Sequence, residues 1–210
     1  MKFQVATAAG LLLAGQALAA PLQARDKSAA DIVAEIAPDS KTCDDPKECR
    51  TAAQAGPMLV DAMAKYGLDN AGQIAAVIAL TAFESVNYKY KHNVSPGRPG
   101  QGTCNMQMFN YNLMYAQSIP ELKEKVNGVT ADADDTKKNE VLALVNDDKY
   151  NFGSGAWFMT TQCKPEVKEG LAAGKDLDAG FKAYMECVGV TIDDERQAYW
   201  TRAKQAFSLT

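Results

Sequence analysis

Ile74-Ala75-Ala76-Val77-Ile78-Ala79-Leu80-Thr81-Ala82-Phe83, followed at once by Glu84, is the stretch that decides the fold class. It is too long for a buried strand, and its apolar side chains leave no polar face, so it predicts a helix packed on all sides. Asn70, with Gln73 three residues later, supplies a capping pattern at its start. Glu84 is the first ionisable group after this run. Desolvation and the negative end of the helix dipole both disfavour its charged form, so its carboxyl is expected to hold a proton as a general acid does.

Working outward, helical periodicity dominates and strand-like alternation is nearly absent. Helices are expected from Ser28 to Ile36, from Ala52 to Tyr66 with Gly67 as the stop, and near Phe109. Others are expected from a capping pattern at Ser118-Ile119-Pro120-Glu121, and over Thr136 to Val145, Phe152 to Thr161, Ala179 to Cys187 and Thr191 to Phe207. Residues 87–103 carry Pro96, Pro99, Gly97, Gly100 and Gly102, which break helices, so an irregular loop or small hairpin is expected there. The predicted fold is mostly α: a single domain with a central buried helix and this loop flanking a cleft. No internal repeat or low-complexity linker interrupts it.

The chain has 210 residues and a formal net charge of -4. A mild acidic excess argues against a nucleic-acid partner, because phosphate binding needs clustered Lys and Arg. Residues 1–20 have a signal-peptide layout, with Lys2, an apolar stretch and the small-residue end Ala17-Leu18-Ala19. Residues 21–27 are a candidate pro-segment, and 28–210 the folded domain. A secreted, extracellular monomer with no membrane partner is the expectation, since no later segment offers the ~20 apolar residues of a membrane helix. The five cysteines suit an oxidising compartment. Cys43 with Cys49 and Cys163 with Cys187 are the expected bridges, leaving Cys104 free. His92 is the only histidine, which disfavours Cys-His catalysis and clustered metal ligation. No metal or cofactor is expected. Asn93-Val94-Ser95 is a glycosylation sequon followed by Pro96.

From Ser85 to Pro120 there is no Asp or Glu, while Lys89, Lys91 and Arg98, eight Asn and Gln and five aromatic rings are present. A lone acid beside such a segment suggests a site for neutral or acidic polymers, most plausibly sugars. Glu84-Ser85, then Ser95-Pro96-Gly97, then Asn105-Met106-Gln107-Met108 resemble the soluble lytic transglycosylase and goose-type lysozyme family of the lysozyme-like superfamily. That family carries a catalytic Glu-Ser at a helix end, a Ser-Pro segment and a Gly-Leu-Met-Gln turn. Tyr150 to Phe158 is similar to its Asn-Ile helix and Ala183-Tyr184 to its Ala-Tyr-Asn motif. Cys104, Asn105 and Met185 depart from the pattern. Gln107 to Tyr111 and Trp157 to Thr160 also resemble segments of plant-type chitinases.

The resemblance implies a lysozyme-like fold and a muramidase or lytic transglycosylase acting on β-1,4-linked N-acetylhexosamine polymers, most plausibly peptidoglycan. Glu84 is then the catalytic acid and base. Glycosidic cleavage generally uses two carboxylates; Asp147, Asp148 and Glu186 are the candidates for a second one, and the resemblance offers a single-acid route. Gln107, Asn105, Tyr184, Tyr111 and Tyr88 are the candidate substrate-binding residues. A chitinase or chitosanase is the alternative within that class. A non-catalytic secreted glycan-binding or host-interaction protein is the alternative outside it.

Overall fold

The structure, a computed structural model, describes residues 27–209. The expected signal peptide and nearly all of the candidate pro-segment lie outside the described residues. Helix α1 (Ala29–Ile36) is followed by a 3-10 turn, then α2 (Ala52–Lys65) and α3 (Ala71–Glu84). An irregular segment leads to α4 (Phe109–Ser118), the single turn α5 (Pro120–Lys123), α6 (Asp135–Val145), the single turn α7 (Asp148–Asn151) and α8 (Ser154–Thr161). The chain closes with α9 (Pro165–Ala173), α10 (Leu177–Val188) and α11 (Asp194–Ala206). The fold is therefore mostly helical, as the periodicity predicts. Among the described residues β pairing is confined to two isolated antiparallel bridges, His92 to Gly102 and Gly102 to Gln107, which make the Pro- and Gly-rich segment an irregular hairpin. No helix among the described residues is long and apolar enough to cross a membrane.

Helix α3 is the axis of the molecule. Every residue from Gly72 to Ala82 is buried, and α1, α8, α9, α10 and α11 pack around it. Burial of an Ile, Leu or Val side chain contributes about 1.5–3 kcal/mol, so one helix carrying Ile74, Val77, Ile78 and Leu80 anchors the assembly. Its N-terminus is tied to α9. Asn70 accepts from the Gly72 N–H at 2.8 Å and donates to the Ala172 carbonyl. Gln73 does not reach back to complete a capping box; its amide donates to the Lys168 carbonyl at 3.0 Å instead. Gly72 has to be glycine here, because a Cβ would stand 2.4 Å from the Leu171 carbonyl oxygen.

A second apolar cluster gathers Phe109, Leu113, Leu122, Val141, Leu142 and Val145 from α4, α5 and α6. Helix α8 joins the two clusters, with Ala156 and Met159 facing the first and Trp157 and Phe158 the second. In the last helix Trp200 stacks on Phe181 with centroids 4.4 Å apart, and its indole N–H donates to Asp178 at 2.6 Å. That bond satisfies the polar handle of an otherwise buried ring. Disulfides Cys43–Cys49 and Cys163–Cys187 close, and Cys104 is a free, buried thiol.

Helices α3 and α8 approach closely at Gly155, where a Cβ would meet Thr81 Cγ2 at 2.7 Å and Val77 Cγ1 at 3.1 Å. Thr81 cannot swing aside freely, since its hydroxyl bonds the Val77 carbonyl and Tyr88. Gly155→Ala is expected to lower the unfolding free energy by about 1–3 kcal/mol through overpacking, read from the midpoint of urea denaturation; an unchanged midpoint would show that the helices can separate at little cost.

Candidate functional site

The buried helix ends in an unusual turn. Val86, Asn87 and Tyr88 have φ of 53°, 59° and 59°, three consecutive residues in the left-handed region, and for a β-branched valine this is costly. Ser85 holds the turn from inside: its hydroxyl donates to the Thr81 carbonyl at 2.6 Å and accepts from the Tyr88 N–H at 3.0 Å. The Ser of the Glu-Ser pair is thus a builder of backbone shape. The turn throws Val86 outward and folds Tyr88 back under the helix, where it bonds Thr81 and packs on Phe152.

Glu84 is left at the rim of the core with 19% of its side chain exposed. Burial raises its pKa, as the sequence suggests, while Arg196 opposes that rise. Arg196 Nη2 donates to Glu84 Oε1 at 2.9 Å. The same guanidinium lies 4.2 Å from the Phe83 ring centroid and pairs through Nη1 with Asp193, whose other oxygen caps α11. An acid expected to stand alone therefore has a cationic partner, delivered from 112 residues away by the packing of α11 on α3. No signal in the sequence singled out Arg196, because its neighbours read only as a helix start.

Beside Glu84 opens a cleft of about 380 Å³. Val86, Tyr90, Val94 and Met106 supply its apolar surface, and His92, Asn93, Ser95 and Gln101 its polar surface. His92 Nδ1 contacts Glu48 at 2.8 Å, which ties the hairpin to the small Cys43–Cys49 loop. Five large apolar side chains are strongly exposed among the described residues, and three line this cleft: Val86 at 47%, Tyr90 at 41% and Val94 at 57%. Met106 joins them with a left-handed φ of 45°.

The candidate binding residues fall elsewhere. Asn105 and Gln107 are buried and bonded inward, Asn105 to Gln107 and Gln107 to Asn112. Tyr88 and Tyr184 are buried, and burial raises the pKa of both hydroxyls. Tyr111 packs on Phe158 in the second cluster. None of the five lines the cleft. The three candidate second carboxylates do not line it either: Asp148 pairs with Arg50, Asp147 caps α7, and Glu186 borders a different surface cavity. The Cys104 thiol is pushed up to about 12 by burial and is no nucleophile.

A bifunctional dioxygenase (DOX)-epoxy alcohol synthase (EAS) of Fusarium oxysporum (strain Fo5176) is 47% identical to this chain. The match covers 159 residues, 74% of this chain and 12% of that relative, so the chain spans about an eighth of the relative's length. No protein-family model and no solved structure matches the chain. This relative overturns the expected glycan-cleaving enzyme: it is named for a different enzyme class, and the glycoside hydrolase or transglycosylase assignment and the polysaccharide partner are corrected with it. The ion pair with Arg196 only opposes the rise that burial imposes on the Glu84 carboxyl.

Dioxygen chemistry in proteins is carried by haem, flavin, copper or non-haem iron. The residues here do not fit a resident metal of that kind. His92 is the only histidine in the chain and is engaged by Glu48, Cys104 is enclosed, and no group of three His, Cys, Asp or Glu among the described residues is placed to hold a metal ion.

The raised pKa of Glu84 fixes the sign of a pH effect. Below its ordinary value of 4.5 the carboxyl is neutral in both the folded and the unfolded chain; as pH rises the unfolded chain ionises first, and stability falls until the folded carboxyl ionises too. Glu84→Gln escapes that loss. Its melting temperature relative to the natural chain is expected to climb between pH 4 and pH 8, and a difference that is flat or declining across that window contradicts the burial argument. Val86→Gly is expected to raise stability by up to about 1 kcal/mol by relieving the left-handed strain, net of the entropy that glycine adds to the unfolded chain; calorimetry at neutral pH measures it.

Proposed function

We propose that this chain is an accessory ligand-binding module, and that the cleft at the end of α3 takes a small amphipathic molecule bearing hydroxyl or epoxide oxygen. The carrying observation is the concentration of exposed Val86, Tyr90 and Val94 around a cleft that Glu84, held in an ion pair by Arg196, also lines. Apolar side chains held in water, one of them at the cost of backbone strain, favour an apolar body in the cleft. The Glu84 side chain accepts from a ligand hydroxyl, and Asn93, whose Oδ1 accepts from the Gly97 and Arg98 N–H groups, lines the same cleft with its NH2 left to donate.

The relative's name supports the ligand class, because an epoxy alcohol is such a molecule. Its length supports the accessory role. The match covers 12% of that polypeptide, which leaves the larger part of it for the oxygen chemistry in its name. We further infer a lysozyme-like scaffold, supported by the mostly helical architecture and by Glu84-Ser85 at the end of its central helix. In this reading a sugar-cleft architecture serves as a binding cup.

Titrating a medium-chain epoxy alcohol into the isotope-labelled protein, with the matching alkane as control, tests the reading. Saturable shifts of the Val86, Val94 and Met106 methyl signals are expected, with Kd on the order of 1 mM for a ligand of this size. Val86→Asp is expected to abolish the shifts and Glu84→Gln to weaken them about fivefold, as a charge-assisted bond becomes a neutral one. No saturation, or equal response to alkane and epoxy alcohol, would overturn it.

A further inference from the structure

The turn from Val126 to Val129 lines no part of the Glu84 cleft. It carries Asn127-Gly128, and no other asparagine of the ten in the chain is followed by glycine. We infer that this turn is a site of spontaneous modification, at which Asn127 becomes a mixture of aspartate and isoaspartate without an enzyme. The inference is independent of the ligand proposed for the cleft.

The fold protects the other asparagines. Eight of the ten have the side-chain amide in a hydrogen bond; Asn139 accepts from the Gly100 N–H at 3.0 Å, and Asn146 from the Thr103 N–H at 3.2 Å. Asn110 lies inside α4, and the nitrogen that follows it, that of Tyr111, donates to the Met108 carbonyl at 3.0 Å. Asn127 and Gly128 are both exposed, and among the described residues neither the Asn127 side chain nor the Gly128 N–H makes a hydrogen bond. With φ of -61° and ψ of 132° at Asn127 and φ of 75° at Gly128, the backbone forms a type II turn. It is closed by the Val129 N–H donating to the Val126 carbonyl at 3.1 Å. Nothing lies within 4 Å of the place a Gly128 Cβ would take, so the peptide plane between the two residues can rotate once that bond opens.

Rotation brings the Gly128 nitrogen to Asn127 Cγ, two reacting groups already held in one short segment. The nitrogen, having lost its proton to hydroxide, bonds to Cγ. The Cγ–Nδ2 bond breaks, Nδ2 takes a proton from water, and ammonia leaves a succinimide ring. Water then opens the ring. Cleavage of the new N–Cγ bond gives aspartate; cleavage between that nitrogen and the main-chain carbonyl carbon gives isoaspartate, with the chain running through Cβ and Cγ. One water is consumed and one ammonia released, with no oxidation, and either product adds a negative charge. Isoaspartate also lengthens the turn by one backbone atom, beside Val126, which is buried in the second apolar cluster, and Val129, which packs against it.

Incubating the folded chain at pH 7 and pH 9, followed by peptide mapping with mass spectrometry, tests the site. A gain of about one dalton is expected at Asn127 before any other asparagine, and faster at pH 9 because the nitrogen reacts without its proton. Electron-transfer fragmentation is expected to show isoaspartate in the product, which direct hydrolysis of the side-chain amide does not give. Conversion is expected to run about fivefold slower in the folded chain than in guanidinium chloride, the effect of having to open the Val126–Val129 hydrogen bond. Gly128→Ala is expected to slow it about tenfold in the folded and in the denatured chain, so the comparison stands even where that variant folds poorly. Asn127 intact after the denatured chain has converted, aspartate as the sole product, or earlier conversion of another asparagine would overturn the site.

Discussion

The burial of α3 on every side is the constraint to which the remaining structure answers. A helix with no polar face must be surrounded, and α1, α8, α9, α10 and α11 are the surrounding elements. The chain can leave such a core only where a polar group is tolerated, and that place is Glu84. Its carboxyl is largely desolvated, so it needs a partner, and the packing that buries α3 also brings Arg196 to it. The Ser85 turn follows from the same geometry: the backbone has to reverse within a few residues, and it does so through a left-handed path that a serine hydroxyl stabilises.

Functional geometry is a by-product of that exit. The reversal pushes Val86 into solvent, the Pro- and Gly-rich hairpin adds Val94 and Met106 to the same cleft, and the start of α11 supplies the guanidinium that pairs with Glu84. The resulting surface is more apolar than a run of amides suggests, since half of those amides, Asn87, Asn105, Gln107 and Asn112, are buried. Asn105, Gln107 and Asn112 form a buried chain that ends on the Gly100 carbonyl, fixing the base of the hairpin. They are supports for the cleft, and their polarity is spent on the fold.

The helical fold was legible because apolar spacing and capping residues speak locally. Asn70 caps where the sequence places a cap, while the last helix, expected to open at Thr191, is capped two residues later by Asp193. Helix α9 was missed, and the reason is physical: of its nine residues only Leu171 is buried, so no periodic stripe marks it, and its start is signalled by Pro165 alone. The site was legible only in part. Glu84 stood out through its neighbours in sequence, yet Arg196 became visible only once α11 was packed on α3. Side-chain direction was equally hidden, which is why Tyr88 and Tyr184 suggested a surface that they in fact underlie.

The Cys163–Cys187 bridge has a consequence for how this molecule breathes. It joins the residues just before α9 to the last turn of α10, so the weakly buried α9 belongs to a closed ring of chain and has no loose end. Fluctuations that lift α9 away from the Asn70 and Gln73 contacts remain tethered and return quickly. Amide hydrogens at the head of α3 are thereby shielded from solvent exchange by a covalent clasp on the far side of the helix that covers them.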